Sequence, residues 1–171
     1  MKCLYLILCS ITIAACADQT SSPTKLSEDS SQVALAAAYT NNFQIGNPKL
    51  AKIALDFYKY FDSNKVKKFS ENISDSIKMN LSDGYECDCS RDSAIQVINH
   101  FRSSFQRIQT IPDAFVTVTF KGQPGTWVSI WGKRIATEGG RSDTLFFNDN
   151  WKFDQHERIV LRNEYTRKSA R

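Results

Sequence analysis

The residues able to do chemistry are few and scattered. Two histidines, His100 and His156, stand far apart. His100 lies one step round from the apolar stripe of its helix, a boundary or surface position, and His156 sits in a polar hairpin. No Ser-His-Asp or Cys-His arrangement can be built from them, and no glycine-rich phosphate loop is present. Cys87-Asp88-Cys89 offers two thiols across one residue. A bridge between them would be strained, and a metal would need at least one further ligand, so either a reducible disulfide or shielded free thiols is expected, with no metal and no cofactor. Among carboxylates, Asp56 and Asp83 are the candidates for a catalytic base. Asp56 also reads as the polar side of an amphipathic helix, and Asp83, next to Gly84, also reads as a turn residue. Trp127, Ser129 and Trp131 alternate along one face of a strand, two large apolar groups around one hydroxyl. That composition suits a small-molecule pocket if the face turns inward.

The elements that hold these residues follow from period. Pro48 opens a helix to Phe61, with Leu50, Ile53, Ala54, Phe57 and Phe61 on one face. A shorter helix over 65–72 follows Asp62-Ser63-Asn64. Ile77, Met79 and Leu81 alternate with polar residues in a strand, and Ser90 caps a third helix whose apolar face runs from Ala94 to Ile108. After Pro112 the period changes to two, giving strands around 116–120, 126–136, 141–153 and 159–165, with Asn148-Asp149-Asn150 expected as a bulge. Helices followed by a meander define an α+β domain. Because Val128 and Ile130 make the second face of the 126–136 strand apolar too, both faces should be covered, one by helices and one by a second copy of the chain.

These elements resemble the nuclear transport factor 2-like superfamily, specifically its SnoaL-like bacterial branch. The resemblance is carried by Phe61-Asp62-Ser63-Asn64, Ser74-Asp75-Ser76-Ile77, Ala94-Ile95 with Phe101, Thr126-Trp127-Val128-Ser129-Ile130-Trp131-Gly132, and the closing run Phe153-Asp154, Arg158-Ile159-Val160 and Glu164-Tyr165. It covers 47–168. It implies a cone-shaped, curved antiparallel sheet packed on three N-terminal helices, an interior pocket, and homodimerisation through the outer sheet face. Trp127, Ser129, Trp131, Asn80, Met79, Tyr58 and Phe101 are the lining it implies. In ketosteroid isomerases of this superfamily a first-strand carboxylate is the base, and that position falls on Asn80, whose amide takes no proton near neutral pH. The helix tyrosine of those enzymes falls on Asp56, beside Tyr58 and Tyr60. Two functions follow from this: a non-catalytic envelope module that holds a small apolar ligand or a partner, and an isomerase, dehydratase or cyclase of a small hydrophobic substrate. The absent first-strand carboxylate favours the first.

Composition and the N-terminal residues set the setting. The chain has 171 residues, 42% hydrophobic, with 11 Phe, 6 Tyr and 3 Trp, enough apolar area for one core. A net charge of +4 is too mild for a nucleic-acid surface, and no nucleic-acid partner is expected. Lys2 precedes an apolar run from Leu4 to Ala15, shorter than the roughly 20 residues of a membrane helix and typical of a secretory signal. Ile13-Ala14-Ala15-Cys16 is similar to a bacterial lipobox. The expected organisation is therefore a signal peptide at 1–15, lipidated Cys16 with a Ser-rich tether to residue 46, and the folded domain at 47–168. The lipid would anchor the protein to the bacterial cell envelope, with Ala17 favouring the outer over the inner membrane. Growth with labelled palmitate should tag the wild-type chain and leave Cys16→Ser untagged; equal label in both would refute the anchor.

Overall fold

The computed structural model describes residues 42–169. The expected signal peptide, Cys16, and the tether up to residue 41, with its Ala-rich stretch at 33–39, lie outside the described residues. The element order is β1 (Phe43–Ile45), α1 (Pro48–Asp62), a 3₁₀ helix (Val66–Asn72), β2 (Ile73–Asn80), β3 (Glu86–Ser90), α2 (Arg91–Ser103), β4 (Arg107–Phe120), β5 (Thr126–Glu138), β6 (Arg141–Phe153) and β7 (Ile159–Lys168). One seven-stranded sheet runs in the order β1-β4-β5-β6-β7-β2-β3. All neighbours are antiparallel except β2 and β7, which pair parallel. The curved sheet wraps the helices as an open cone, the α+β architecture expected.

Helix α1 starts where the sequence says it should. The Asn47 side chain accepts the Lys49 amide at 3.0 Å and Pro48 occupies the first turn, where its missing donor is not needed. Its inward face is Leu50, Ala51, Ala54, Phe57, Tyr58 and Phe61. Phe57 packs against Phe61, Phe69 and Trp151 with ring centroids 5.0–5.5 Å apart. Burying each such ring contributes about 1.5–3 kcal/mol, so this aromatic group is the main apolar tie between helix and sheet. The C-terminal end of α1 is held from two sides. Arg102 on α2 is buried and donates through Nε to the Phe61 carbonyl at 2.7 Å and through Nη2 to the Asp62 carbonyl at 3.1 Å. The Asp62 carboxylate then accepts the Thr110 amide and hydroxyl at 2.7 and 2.8 Å, fastening the helix to β4. Unpaired helix carbonyls are thus satisfied by a cation at the favourable end of the dipole.

Three expectations are corrected and one strand is added. The third helix ends at Ser103 and not near Ile108, because Arg102 turns back to bind the Phe105 carbonyl and Ile108 enters β4. The segment 86–90, read from the sequence only for its two thiols, is strand β3 paired with β2. Residues 43–45, expected in the tether, form an edge strand on β4. Asn148-Asp149-Asn150 is regular strand, in unbroken register with β5; the irregular steps lie at Ile73/Lys78, Pro112/Ala114 and Lys152/Phe153.

Alternation along β5 and β6 decides what faces the helices. Val128, Ile130, Arg134 and Ala136 of β5, with Phe147, Asp149, Trp151 and Phe153 of β6, point into the core. Gly132 shares that parity, and a methyl group there would stand 2.5 Å from the Ile111 carbonyl oxygen and 2.8 Å from the Phe147 ring. Only hydrogen fits beneath that ring. Trp127, Ser129 and Trp131 consequently lie on the opposite, outer face.

Candidate functional site

The interior of the cone holds charge as well as rings. Asp149 on β6 stands directly opposite Glu164 on β7. Two carboxylates facing each other across a sheet repel. Arg162, two residues before Glu164 and on the same face, resolves this: its Nη2 donates to Asp149 Oδ2 at 3.1 Å and to Glu164 Oε1 at 3.0 Å. Arg134 of β5 donates through Nη1 to that same Glu164 oxygen at 3.0 Å, and the Tyr58 hydroxyl of α1 donates to Asp149 Oδ2 at 2.8 Å. All five side chains are buried. The guanidinium of Arg162 lies 4.8 Å from the ring centroids of both Phe57 and Trp151, and that of Arg134 lies 5.3 and 5.4 Å from Phe61 and Phe147. Aromatic faces therefore clamp both cations in place.

Environment pushes the two carboxylates apart. Burial raises the Asp149 carboxyl above its ordinary value, a trend that Arg162 opposes. Burial acts on Glu164 too, but Arg162 and Arg134 together hold it below the ordinary range. Burial, with the Asp149 charge beside it, drives the Tyr58 phenol well up, so Tyr58 is a neutral hydrogen-bond donor.

A cavity of about 30 Å³ opens at the cone mouth between α1, α2 and the turn after β2, room for one water molecule or a small head group. Its walls are Phe61, Leu81, Ile98 and Phe101, its inner end is Arg134, Arg162 and Glu164, and Ser82 and Asp83 stand at the rim. Asp149 and Tyr58 do not border it.

The expected site residues divide between the two faces of the sheet. Tyr58 reaches the interior and joins the buried network. Phe101 lines the mouth. Met79 is fully buried core, beside Arg162 in register. Asp83 reaches the rim, where its carboxylate accepts the Tyr85 amide at 2.9 Å as a turn residue. Asp56 stays on the outside of α1, in an i,i+4 ion pair with Lys52 at 2.9 Å. Of these five only Phe101 and Asp83 border the cavity, and the remaining four do not reach the interior. Asn80, Ser129, Trp127 and Trp131 lie on the outer face, where Ser129, Asn150, Asn163 and Asn80 form a row across β5, β6, β7 and β2. Within it the Ser129 hydroxyl donates to Asn150 at 2.5 Å and the Asn80 amide to Asn163 at 2.7 Å. Trp131 and Tyr165 are 40% and 62% exposed there, flanking Asn148 in register. His100 is exposed on α2, and His156 is exposed in the last hairpin. Cys87 and Cys89 are free thiols on edge strand β3, partly buried against the core; burial and the neighbouring Cys87 push the Cys89 thiol up to about 12. Among the described residues no three His, Cys, Asp or Glu side chains gather as a metal site.

Asp149, Arg162, Glu164 and Arg134 were not among the sequence candidates. Their signal was parity: Asp149 falls between Phe147 and Trp151 in the inward-facing series of β6, and Arg134 follows Val128, Ile130 and Gly132 on β5.

No protein-family model matches the sequence, and no curated protein does. Solved structures do match the fold. An NTF2-like protein of unknown function from Burkholderia pseudomallei is 20% identical, covering 69% of this chain and 90% of that one, with a TM-score of 0.56. The fold is that of the nuclear transport factor 2-like superfamily. Another match is a candidate SnoaL-like polyketide cyclase from Shewanella denitrificans, 11% identical over 71% of this chain and 92% of that one at a TM-score of 0.57. An LEH-like epoxide hydrolase of M. tuberculosis is 9% identical over 70% and 83%, at 0.56.

The network sets two expectations. Replacing Arg162 with Met leaves Asp149 and Glu164 facing each other unbridged and should cost about 3–5 kcal/mol in urea unfolding. The two carboxylates act on pH dependence with opposite signs. Glu164, lowered in the fold, contributes stability above its unfolded value that is lost as pH falls through its folded value. Asp149, raised in the fold, contributes stability at low pH that is lost as pH rises through its folded value. Between about pH 6 and pH 3, Glu164→Gln should therefore lose less stability on acidification than wild type and Asp149→Asn should lose more. Identical slopes in all three would contradict the assignment.

Proposed function

We propose that this chain is an exported bacterial lipoprotein of the cell envelope, held by Cys16, whose NTF2-like domain binds a small ligand with an apolar part at the cone mouth and does not transform it. The observation that carries the reading is the state of the interior carboxylates. Glu164 accepts from two guanidiniums through one oxygen, and Asp149 accepts from Arg162 and Tyr58 and has no wall on the cavity. A general base must reach the proton it takes, within hydrogen-bond distance or through one water. Asp56 faces outward, Asn80 carries no basic atom, and Asp83 stands solvated at the rim with its carboxylate accepting the Tyr85 amide, so among the described residues no free carboxylate stands at the inner end of the cavity. The neighbours named as a polyketide cyclase candidate and an epoxide hydrolase show that this fold accommodates enzymes, but function is set by the site and not the fold.

A second reading, an isomerase, dehydratase or cyclase of a small hydrophobic substrate, draws on one observation: Asp149 and Glu164, across one arginine, have acidities moved in opposite directions, as acid and base pairs do. The same proposal includes a homodimer through the outer sheet face. Exposed Trp131 and Tyr165, with Phe146 between strands, border a shallow open hollow of about 390 Å³ on that face, and a second copy would cover this apolar surface.

Titrating tryptophan fluorescence with a library of small hydrophobic carbonyl compounds, acids and lipids should show saturable changes with no product by mass spectrometry. Turnover abolished by Glu164→Gln or Asp149→Asn while binding persists would put the enzyme first. Sedimentation at micromolar concentration should give a dimer for the wild type and a monomer for Trp131→Arg; a strictly monomeric wild type would remove the outer face as an interface.

A further inference from the structure

Three sulfurs meet where the sheet ends. Cys87 and Cys89 are the two cysteines of the described residues, both free thiols, and β3, which carries them, is an edge strand. Both are partly buried against the core while Glu86, Asp88 and Ser90 are exposed, so the two thiols share the inner face. Their register partners on β2 are Met79 for Cys87 and Ile77 for Cys89, both buried on that face. Directly opposed residues of an antiparallel pair have Cβ atoms about 4.5–5.5 Å apart, which sets the Met79 thioether beside the Cys87 thiol. The Cys87 and Cys89 side chains act directly on one another, and the Tyr85 hydroxyl acts on Cys87. Residues two apart in a strand stand about 6.5–7 Å apart, too far for a disulfide, whose Cβ atoms lie about 3.5–4.5 Å from each other. The same gap suits two sulfurs leaning toward one metal ion at about 2.3 Å each.

We infer that Cys87, Cys89 and Met79 bind a soft monovalent metal ion, Cu(I), at the β3 edge of the sheet. Two thiolates and a thioether are soft donors of the kind that select Cu(I). Zn(II) takes four ligands as a rule, and no further His, Cys, Asp or Glu of the described residues gathers with the two thiols to complete such a set. On binding, two thiol protons pass to solvent, two sulfur–copper bonds form, the Met79 sulfur donates a lone pair, and copper keeps its oxidation state. The Tyr85 hydroxyl, next to Cys87, is placed to donate to that sulfur and orient it, as outer donors do around metal ligands. The edge position gives the ion a way in through the half-buried thiols, which the fully buried Met79 alone would not. Two ligands spaced along the chain were visible in the sequence; the third comes from the neighbouring strand through its register. None of the three borders the cavity at the cone mouth, so this site is independent of ligand binding there.

The test uses the full chain carrying Cys3→Ser, Cys9→Ser and Cys16→Ser, so that Cys87 and Cys89 are its only thiols, reduced and kept under nitrogen. Titrated against the coloured complex of Cu(I) with bathocuproine disulfonate, it should withdraw one equivalent of copper, and it should bind Zn(II) at least about a hundredfold more weakly. Cys89→Ser should weaken Cu(I) binding by about a hundredfold or more, and Met79→Leu, which keeps the core volume, by about tenfold with little change in Tm. Bound Cu(I) should also protect both thiols of the parent chain from iodoacetamide, read by mass spectrometry. Failure to withdraw copper, Zn(II) held as tightly as Cu(I), equal affinity in Cys89→Ser, or alkylation as fast with copper as without it overturns the site. A Met79→Leu variant that binds copper as tightly as its parent overturns the three-sulfur assignment. The alkylation experiment changes no ligand, so it decides if a ligand variant does not fold.

Discussion

Arg162 is the constraint around which the interior is arranged. The register of β6 and β7 sets two carboxylates opposite each other inside a sheet, an arrangement that would be repulsive and poorly solvated without a cation between them. One guanidinium nitrogen answers both. Its ring contacts with Phe57 and Trp151 tie that answer to the packing of α1. Helix position, strand register and charge balance therefore depend on one another, and removing a partner harms more than removing the whole group would. A network of this kind fixes which packing the cone adopts more than it adds to overall stability.

The same network explains why the interior of the cone is not a roomy hydrophobic pocket. Trp151, Phe57, Phe147 and Met79 fill the deep part, the ionic cluster fills the middle, and only the mouth stays open. The polar row of Ser129, Asn150, Asn163 and Asn80 lies on the other side of the sheet. Chemistry-bearing groups are thus sorted by face: charges paired inside, amides and exposed rings outside.

Much of the architecture was legible in residue order. Pro48 behind Asn47 marked the start of α1, Ser90 marked α2, and the change of period after Pro112 marked the long strands; the helices and the α+β class followed from these, and the cone from the resemblance that their motifs carry. The site was less legible, for physical reasons. On β5 both parities are apolar, so alternation defined two faces without saying which one the helices cover. The large tryptophans suggested the inner face, while Gly132, whose hydrogen is needed under the Phe147 ring, belonged to the true one. Asn148-Asp149-Asn150 read as a bulge because three polar residues in a row look solvated, and an aspartate is seldom buried unless paired. Its partners lie 13 and 91 residues away, separations that no local pattern connects: Arg162 from the following strand and Tyr58 from the first helix. Strand β3 was missed because Glu86-Cys87-Asp88-Cys89 has the alternation of a strand only if cysteine is counted as a small apolar residue, which its packing shows it to be.

The parallel pairing of β2 with β7 has a consequence for how the chain reaches this state. β7 lies between β6 and β2 in the sheet, although more than seventy residues separate it from β2 along the chain. Until residues 159–168 are in place, the β2–β3 hairpin has no sheet to join, Asp149 has no arginine, and β6 presents an open edge. Folding is therefore governed by a late, long-range closure, the kind of contact that slows folding and favours cooperative formation of the whole sheet over stepwise growth from the first helix. A ribosome that has released only the first six strands holds a chain with its central carboxylate unmatched, so commitment to the native cone waits until residues 159–168 have emerged.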